Sequence, residues 1–170
     1  GTPTWGPWKH DQALRAVAQH ARDIADAQAF GIAAGTSGID YGRVRAHLDQ
    51  VSAKLAANDS DERLAALGVL VLKGEAHFQN RRQIAVGESV VKTRRFVVAT
   101  GSLPALPDIP GLAELHVVTE DSIFELAKRP ERLIVLGGTA AAVELAQAMR
   151  ALGSEVALIA ARLLSSAAMF

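Results

Sequence analysis

Cysteine is absent from this sequence of 170 residues. Its absence excludes disulfides, thiolate metal ligands and cysteine nucleophiles within the sequence, and it fits a reducing compartment, so we expect a cytoplasmic protein. An excess of charge of one sign is also missing, because 18 Lys and Arg residues balance 18 Asp and Glu residues. The formal net charge of zero argues against a dedicated nucleic-acid binder and against a binder of anionic membranes, since both need a basic field.

Long apolar runs are lacking as well. No run approaches the roughly 18 apolar residues of a transmembrane helix, and residues 1–10 lack the basic start and apolar core of a signal peptide. Hydrophobic residues nevertheless make up 49% of the sequence and charged residues 21%. This composition excludes a disordered protein and predicts a packed core. The five histidines are scattered without metal-ligand spacing, so we expect no metal site.

The first 68 residues predict helices. Apolar residues recur at three- and four-residue steps over residues 11–29, and we interpret Asp11 as the N-cap and Gly31 as the stop of this helix. A second helix is predicted from residue 40 to Gly68, with a bend or a new N-cap at residues 58–60.

The middle of the sequence predicts short strands. Residues 69–72 form one β-rich run, and the runs at 77–78, 83–86 and 90–91 predict a small antiparallel meander. Residues 95–101 predict a buried strand that ends in glycine. The next ten residues contain three prolines and are therefore neither helix nor central strand, so we expect a crossover between two domains there.

The last third predicts one β-α-β unit. A short helix is predicted before it, at residues 122–127. The unit itself consists of a strand at 132–136, a Gly-Gly turn, a helix at 139–152 and a second strand at 156–159. A right-handed crossover is expected between the two parallel strands. Because two strands alone cannot close a doubly wound domain, we expect the sequence to be cut at its C-terminus.

The turn of this unit is a candidate nucleotide site. A dinucleotide fingerprint needs glycine at three places; here Gly137 fills the first, while Thr139 and Ala142 stand at the second and third. The helix N-terminus offers free N–H groups and a partial positive charge to a phosphate. Nucleotide binding and a purely structural turn both stay open from this pattern.

The acid that usually follows the second strand and holds the adenosine ribose is absent. Ala160 and Ala161 stand there instead, followed by Arg162. A missing acid beside an arginine favours a 2′-phosphate and hence NADP over NAD. The alternative is that Arg162 is an ordinary solvated surface charge.

Several motifs together indicate a family. They are the strand end Val98-Ala99-Thr100-Gly101-Ser102, the crossover Ile109-Pro110-Gly111, the stretch Lys73–Phe78, and the helix segment Leu145–Ala148 with Leu152-Gly153-Ser154. With them the sequence resembles, over nearly its whole length, the FAD-dependent pyridine nucleotide-disulfide oxidoreductases. The mercuric reductases are the most similar branch, since they also relax the second and third glycines and lack the ribose acid.

The resemblance implies an α/β protein, part of a Rossmann-like fold of two domains that bind FAD and NAD(P). Residues 1–112 would be part of the FAD-binding domain, with a helical segment and the meander, and residues 113–170 the start of the NAD(P)-binding domain. The implied cofactors are FAD and NAD(P)H. The implied cofactor contacts are Gly74, Ala76, Thr100, Gly101, Gly137, Gly138, Thr139, Ala142 and Arg162. Glu144 matches a glutamate near the flavin and nicotinamide; the alternative is a surface helix carboxylate.

The departures from the family pattern concern its redox centre. The two redox cysteines of the family would fall at Pro3 and Trp8, and its lysine near the flavin at Gln12. Proline and tryptophan can neither store electrons as a dithiol nor attack a disulfide. The resemblance therefore implies hydride transfer from NAD(P)H through FAD to another small acceptor, such as a quinone or dioxygen. A non-catalytic remnant and a bare nucleotide-binding module are the alternatives.

Parts of the family fold lie outside this sequence by the same resemblance. They are the first β-α-β unit with its flavin pyrophosphate turn, the remainder of the nicotinamide domain, and the C-terminal interface domain. We therefore expect this chain alone to bind FAD weakly or not at all. We also expect a homodimer, or association with the missing remainder, to cover apolar strands that are otherwise open.

Overall fold

The structure is a computed structural model that describes residues 8–35, 38–56, 58, 60–101 and 104–160, with Trp8 and Lys9 described only in their backbone. The helices are α1 (Trp8–Asp26), α2 (Tyr41–Ala56), α3 (Asp61–Ala66) and α4 (Ala140–Ala151). The strands are β1 (Ala76–Asn80), β2 (Gln83–Val86), β3 (Ser89–Lys92), β4 (Arg132–Leu136) and β5 (Glu155–Ile159). The chain divides into two compact units, residues 56–103 and the remainder. The predicted combination of helices and sheets is confirmed.

Helix α1 begins earlier in the chain than the sequence predicted. It begins at Trp8 and passes at its end into a 3-10 turn, Ala27–Phe30, which Gly31 terminates with a φ of 78°. The predicted stop at Gly31 is confirmed. The prediction that Asp11 is the N-cap is wrong, because Asp11 lies within the first turn, where an acidic side chain interacts favourably with the positive end of the helix.

The core of the larger unit joins three helices. Leu14 and Ala18 from α1, Leu48 from α2 and Met149 from α4 are buried, together with Leu152 just after α4. Residues three and four apart on one helix face meet the neighbouring helix in this way. The packing holds α1 against α4 and so fixes the relation between their polar side chains.

The predicted β-α-β unit is present in the larger unit. Strands β4 and β5 are parallel, with Leu133 opposite Val156, and α4 connects them. Both of these side chains pack against the core of the three helices. The unit therefore holds the start of α4 near the carboxyl end of β4.

The smaller unit contains the predicted meander, which is confirmed. Strand β1 pairs with β2 and β2 with β3, both antiparallel. Gly74 leads into β1 with a φ of 150°, and a Cβ atom there would lie 3.2 Å from Cγ1 of Val86. Both the backbone conformation and the close approach to β2 favour glycine at this position.

Two predicted strands are wrong. Residues 69–72 and 95–101 have no regular secondary structure and belong to no sheet of the described chain, and Leu70 and Val97 are 80% and 92% exposed. A β-rich run becomes a strand only where a neighbour accepts its hydrogen bonds, and no described segment does so. Phe96 instead meets Phe78 of β1 edge to face, with 5.0 Å between ring centroids.

Two segments before the β-α-β unit have little regular structure. The predicted helix at residues 122–127 is reduced to a 3-10 turn, Ile123–Glu125. Residues 104–109 of the proline-rich segment are irregular, as predicted. Within the part of the chain that the structure describes, no helix is both long and apolar enough to cross a membrane.

Candidate functional site

The turn between β4 and α4 is built by a glycine at its start. Gly137 has a φ of 141°, and its N–H donates to the carbonyl of Ile159 at 2.9 Å, which ties the turn to the end of β5. A Cβ atom at Gly137 would lie 3.6 Å from Cβ of Ala142, which is an ordinary contact. The backbone conformation, more than crowding, therefore calls for glycine here.

Thr139 caps helix α4. Its Oγ1 accepts a hydrogen bond from the N–H of Ala142 at 3.2 Å, and its backbone is extended, as an N-cap requires. Because the hydroxyl oxygen accepts this bond, its own proton can donate to a ligand outside the helix. Thr139 stands at a glycine position of the fingerprint. It caps the helix through its hydroxyl oxygen, and its hydroxyl proton remains available as a hydrogen-bond donor.

Glu144 lies one turn further along α4 and forms an ion pair that the sequence did not predict. Its Oε2 is 2.8 Å from Nη1 of Arg15 on α1, and the Glu144 side chain is 35% exposed. The same guanidinium nitrogen is 3.8 Å from Oδ2 of Asp11. One signal was available in the sequence: Arg15 follows Gln12, the position of the family lysine, by three residues, which places both on the same helix face.

Burial leaves Asp11 in an unfavourable environment for a charge. Burial raises the pKa of Asp11 above 3.8, and the carboxylates of Glu144 and Glu120 raise it further, while Arg15 lowers it. Arg15 therefore offsets only part of the effect of burial on the Asp11 carboxylate.

We expect the Asp11 carboxyl to titrate above 3.8 in the folded protein. Because the folded pKa is raised, the neutral carboxyl favours folding, and stability falls as pH rises through the folded pKa. Carboxyl carbon shifts measured by NMR during a pH titration test this.

Two variants test which neighbouring charges shift the pKa of Asp11. Glu144→Gln should lower the Asp11 midpoint and Arg15→Gln should raise it, since each removes one of the opposing charges. Each variant should cost less than about 1 kcal/mol of stability because the pair is partly solvated. Identical Asp11 midpoints in all three proteins would contradict the interpretation.

The residues implied as flavin contacts lie in the smaller unit. Gly74 precedes β1 and Ala76 is its first residue, while Thr100 and Gly101 are exposed at the end of the irregular segment. Gly101 has a φ of 72°, and no atom lies within 4 Å of the place where its Cβ would be. Among the described residues, no hydrogen bond joins the first pair to the second.

Some predicted positions lie outside the described residues. They are Arg162, which was predicted to favour NADP, and Pro3, together with the side chain of Trp8. The residues that the structure describes contain no group of three or more His, Cys, Asp or Glu residues that could hold a metal ion.

Comparison with known proteins gives a consistent result. The family model described as pyridine nucleotide-disulphide oxidoreductase matches residues 2–168. The mercuric reductase of Streptomyces lividans is 31% identical over 153 residues, 86% of this chain and 32% of that protein. The mercuric reductase of Bacillus cereus is 41% identical over 92 residues, 54% of this chain and 15% of that protein.

A solved structure shows the same fold. It is the Cu(II) complex of the HOCl-induced flavoprotein disulfide reductase RclA from Escherichia coli, with a TM-score of 0.71 and 22% identity over 91% of this chain and 32% of that one. This chain thus spans a third or less of the length of these three proteins. The family predicted from the motifs is confirmed: the chain belongs to the pyridine nucleotide-disulphide oxidoreductase family.

Proposed function

We propose that the chain forms part of a FAD-dependent oxidoreductase that takes hydride from NAD(P)H and passes electrons to a small acceptor other than a disulfide. The observation that supports this most is the turn from β4 to α4, with Gly137 at a φ of 141° and Thr139 as a capping donor, in a chain of this family. We keep residues 1–112 as the proposed flavin part and residues 113–170 as the proposed nicotinamide part.

The nicotinamide nucleotide is proposed to place its phosphates at the start of α4. Gly137 and Gly138 let the backbone turn there without side chains, and the first N–H groups of a helix lack partners within the helix. The Thr139 hydroxyl adds a donor, and the methyl group of Ala142 keeps the helix close to Gly137. The dipole of α4 favours the negative charge of the phosphates. Arg162 remains the proposed residue for a 2′-phosphate.

Glu144 and Arg15 are proposed to act as a unit beside the reacting rings. The guanidinium of Arg15, 2.8 Å from the carboxylate, compensates its charge and orients it. Arg15 would thereby serve as the cationic partner of Glu144. The family has a lysine for this role one turn earlier on the helix, at the position of Gln12. Glu144 is the proposed contact of the flavin and nicotinamide, and Arg15 is a positioning residue.

Bound FAD supplies the hydride acceptor, and the protein supplies its position and surroundings. We propose Gly74, Ala76, Thr100 and Gly101 as backbone contacts of the flavin nucleotide. The positive φ values of Gly74 and Gly101 support this, because backbone without a Cβ admits a ligand closely. This chain alone is proposed to hold FAD weakly or not at all.

Exposed apolar side chains support the proposal that further polypeptide, or a second copy in a homodimer, covers strand β4 and the apolar segments 69–72 and 95–101. Leu70 and Val97 in the smaller unit and Ile134 on β4 are 80%, 92% and 65% exposed. Apolar side chains at sheet edges and on open faces favour pairing with another chain. A non-catalytic remnant of the fold is the alternative function, and a full-length gene product that retains no flavin would favour it.

A titration of the 170-residue chain with NADPH and NADH, followed by amide shifts in NMR spectra, tests the nucleotide turn. We expect the largest shifts at residues 138–142. Thr139→Ala should weaken binding about tenfold, because a hydrogen bond to a charged group contributes roughly 1.5 kcal/mol or more, whereas Thr139→Ser should bind like the parent.

Ser60→Ala is the matched control, since Ser60 caps α3 by accepting from the N–H of Arg63. It should lose a similar amount of helix stability, about 1 kcal/mol, without loss of NADPH affinity. Shifts that are absent from residues 138–142, or equal weakening by both alanine variants, would contradict the proposed nucleotide site.

A further inference from the structure

A polar groove runs between α1 and α4 and has a volume of about 530 Å³. Buried Ala18 and Ala148 lie at its floor, and longer polar side chains form its walls. Small side chains at the floor leave the space open, and the volume lies within the range of about 300–1,000 Å³ that is typical of small-molecule sites.

Arg22 on α1 is the second cation that lines this groove. It is half-buried, and its Nη2 donates to Oε1 of Gln19 at 2.7 Å. The Nε2 of Gln19 in turn donates to Oδ1 of Asp23 at 2.7 Å, which fixes the amide that holds the guanidinium. Among the described residues no carboxylate lies within 4.0 Å of Arg22. Most of its five N–H donors are therefore open to a ligand.

The other charged side chains of the groove compensate each other. Arg15 pairs with Glu144 at 2.8 Å, so these two contribute little net charge. Arg22 is the second guanidinium that lines the groove, and its own side-chain hydrogen bond goes to the neutral amide of Gln19. A guanidinium has a planar set of donors that is suited to a carboxylate or a phosphate, which it can bind with two parallel hydrogen bonds.

We propose that this groove binds a small molecule carrying a carboxylate or a phosphate, with its oxyanion on Arg22. Gln147 lines the α4 side of the groove and offers amide donors for the same ligand. The floor residue Ala148 lies nine residues beyond Thr139, about 13 Å along the helix at 1.5 Å per residue. Arg15 and Glu144, the pair proposed to lie beside the reacting rings, also line this groove. The inference therefore rests on the proposed function and names a ligand class for a neighbouring part of the same site. Because binding of phosphate or succinate is measured without a cofactor, its failure would leave the proposed nucleotide turn untouched.

The 170-residue chain titrated at low ionic strength with inorganic phosphate and, separately, with succinate tests the proposal. NMR side-chain amide signals of Gln19 and Gln147 should shift in a saturable manner at millimolar ligand, while that of Gln83 on β2 stays fixed. Saturation by phosphate alone identifies a phosphate ligand, saturation by succinate alone a carboxylate ligand, and either supports the site.

Arg22→Gln should weaken binding tenfold or more, because hydrogen bonds to charged groups contribute roughly 1.5–3 kcal/mol, and Arg22→Lys should show an intermediate loss. Arg43→Gln on α2 removes the same charge away from the groove and should bind like the parent. The absence of saturable shifts with both anions would overturn the proposal, as would equal weakening by Arg22→Gln and Arg43→Gln. The shifts of Gln19 and Gln147 in the unsubstituted chain remain decisive even if a variant does not fold.

Discussion

A protein with Pro3 and Trp8 at the positions of the family's redox cysteines is expected to show no NAD(P)H-dependent reduction of glutathione disulfide, lipoamide or Hg(II) above background. These reactions need a thiolate that attacks the substrate and a second thiol that completes the dithiol. Neither position 3 nor position 8 holds a cysteine. The expected loss is therefore complete within the detection limit, in contrast to the graded loss from an altered contact.

The full-length product of the gene, loaded with FAD, is the protein to assay, and NADPH oxidation is the readout. Quinone reduction by the same preparation serves as the positive control, because it needs the flavin and not the dithiol. Turnover of glutathione disulfide or Hg(II) comparable with quinone turnover would contradict the inference from positions 3 and 8.

Met149→Ala is expected to destabilise the larger unit by about 2–5 kcal/mol, the usual cost of truncating a large buried side chain to alanine. Met149 is 0% exposed and packs in the cluster that joins α1, α2 and α4. Domains have total stabilities of about 5–15 kcal/mol, so this loss is a large part of the whole. Urea unfolding followed by far-UV circular dichroism measures it.

Ile134→Ala is the control for this substitution. Ile134 is also a large aliphatic residue of the same unit, but it is 65% exposed on β4. Its replacement should cost less than about 1 kcal/mol, since little area is removed from water in the folded chain. A smaller loss from Met149→Ala than from Ile134→Ala would show that the buried cluster is not the core of the unit.

The features predicted correctly from the sequence are local ones. The periodicity of α1, the stop at Gly31 and the succession of strand, Gly-Gly turn and helix around Gly137 depend on residues close together in the chain. Asp11 was misplaced because an acidic residue is favoured both at the N-cap and within the first turn. An acidic residue in the sequence is therefore compatible with either position, and only the residue at which the helix begins distinguishes them.

The features that were missed depend on distant residues. Segments 69–72 and 95–101 have the composition of strands, but a strand also needs a neighbour, and the described chain provides none. The pair of Arg15 and Glu144 joins residues 129 positions apart, and only the packing of α1 on α4 brings them together. The family resemblance pointed to Glu144 as a site residue, which stays a prediction, and it gave no sign of Arg15, because the family pattern places the cation at another position.

An anaerobic titration of the FAD-loaded, full-length gene product with NADPH tests the proposed function most directly. NADPH donates two electrons and FAD accepts two, whereas a redox dithiol in its disulfide form would accept two more. We expect the flavin absorbance to bleach completely with about one equivalent of NADPH per FAD. A requirement for about two equivalents would reveal a second two-electron acceptor, and a protein that retains no flavin, or whose flavin NADPH does not reduce, would contradict the proposed oxidoreductase itself.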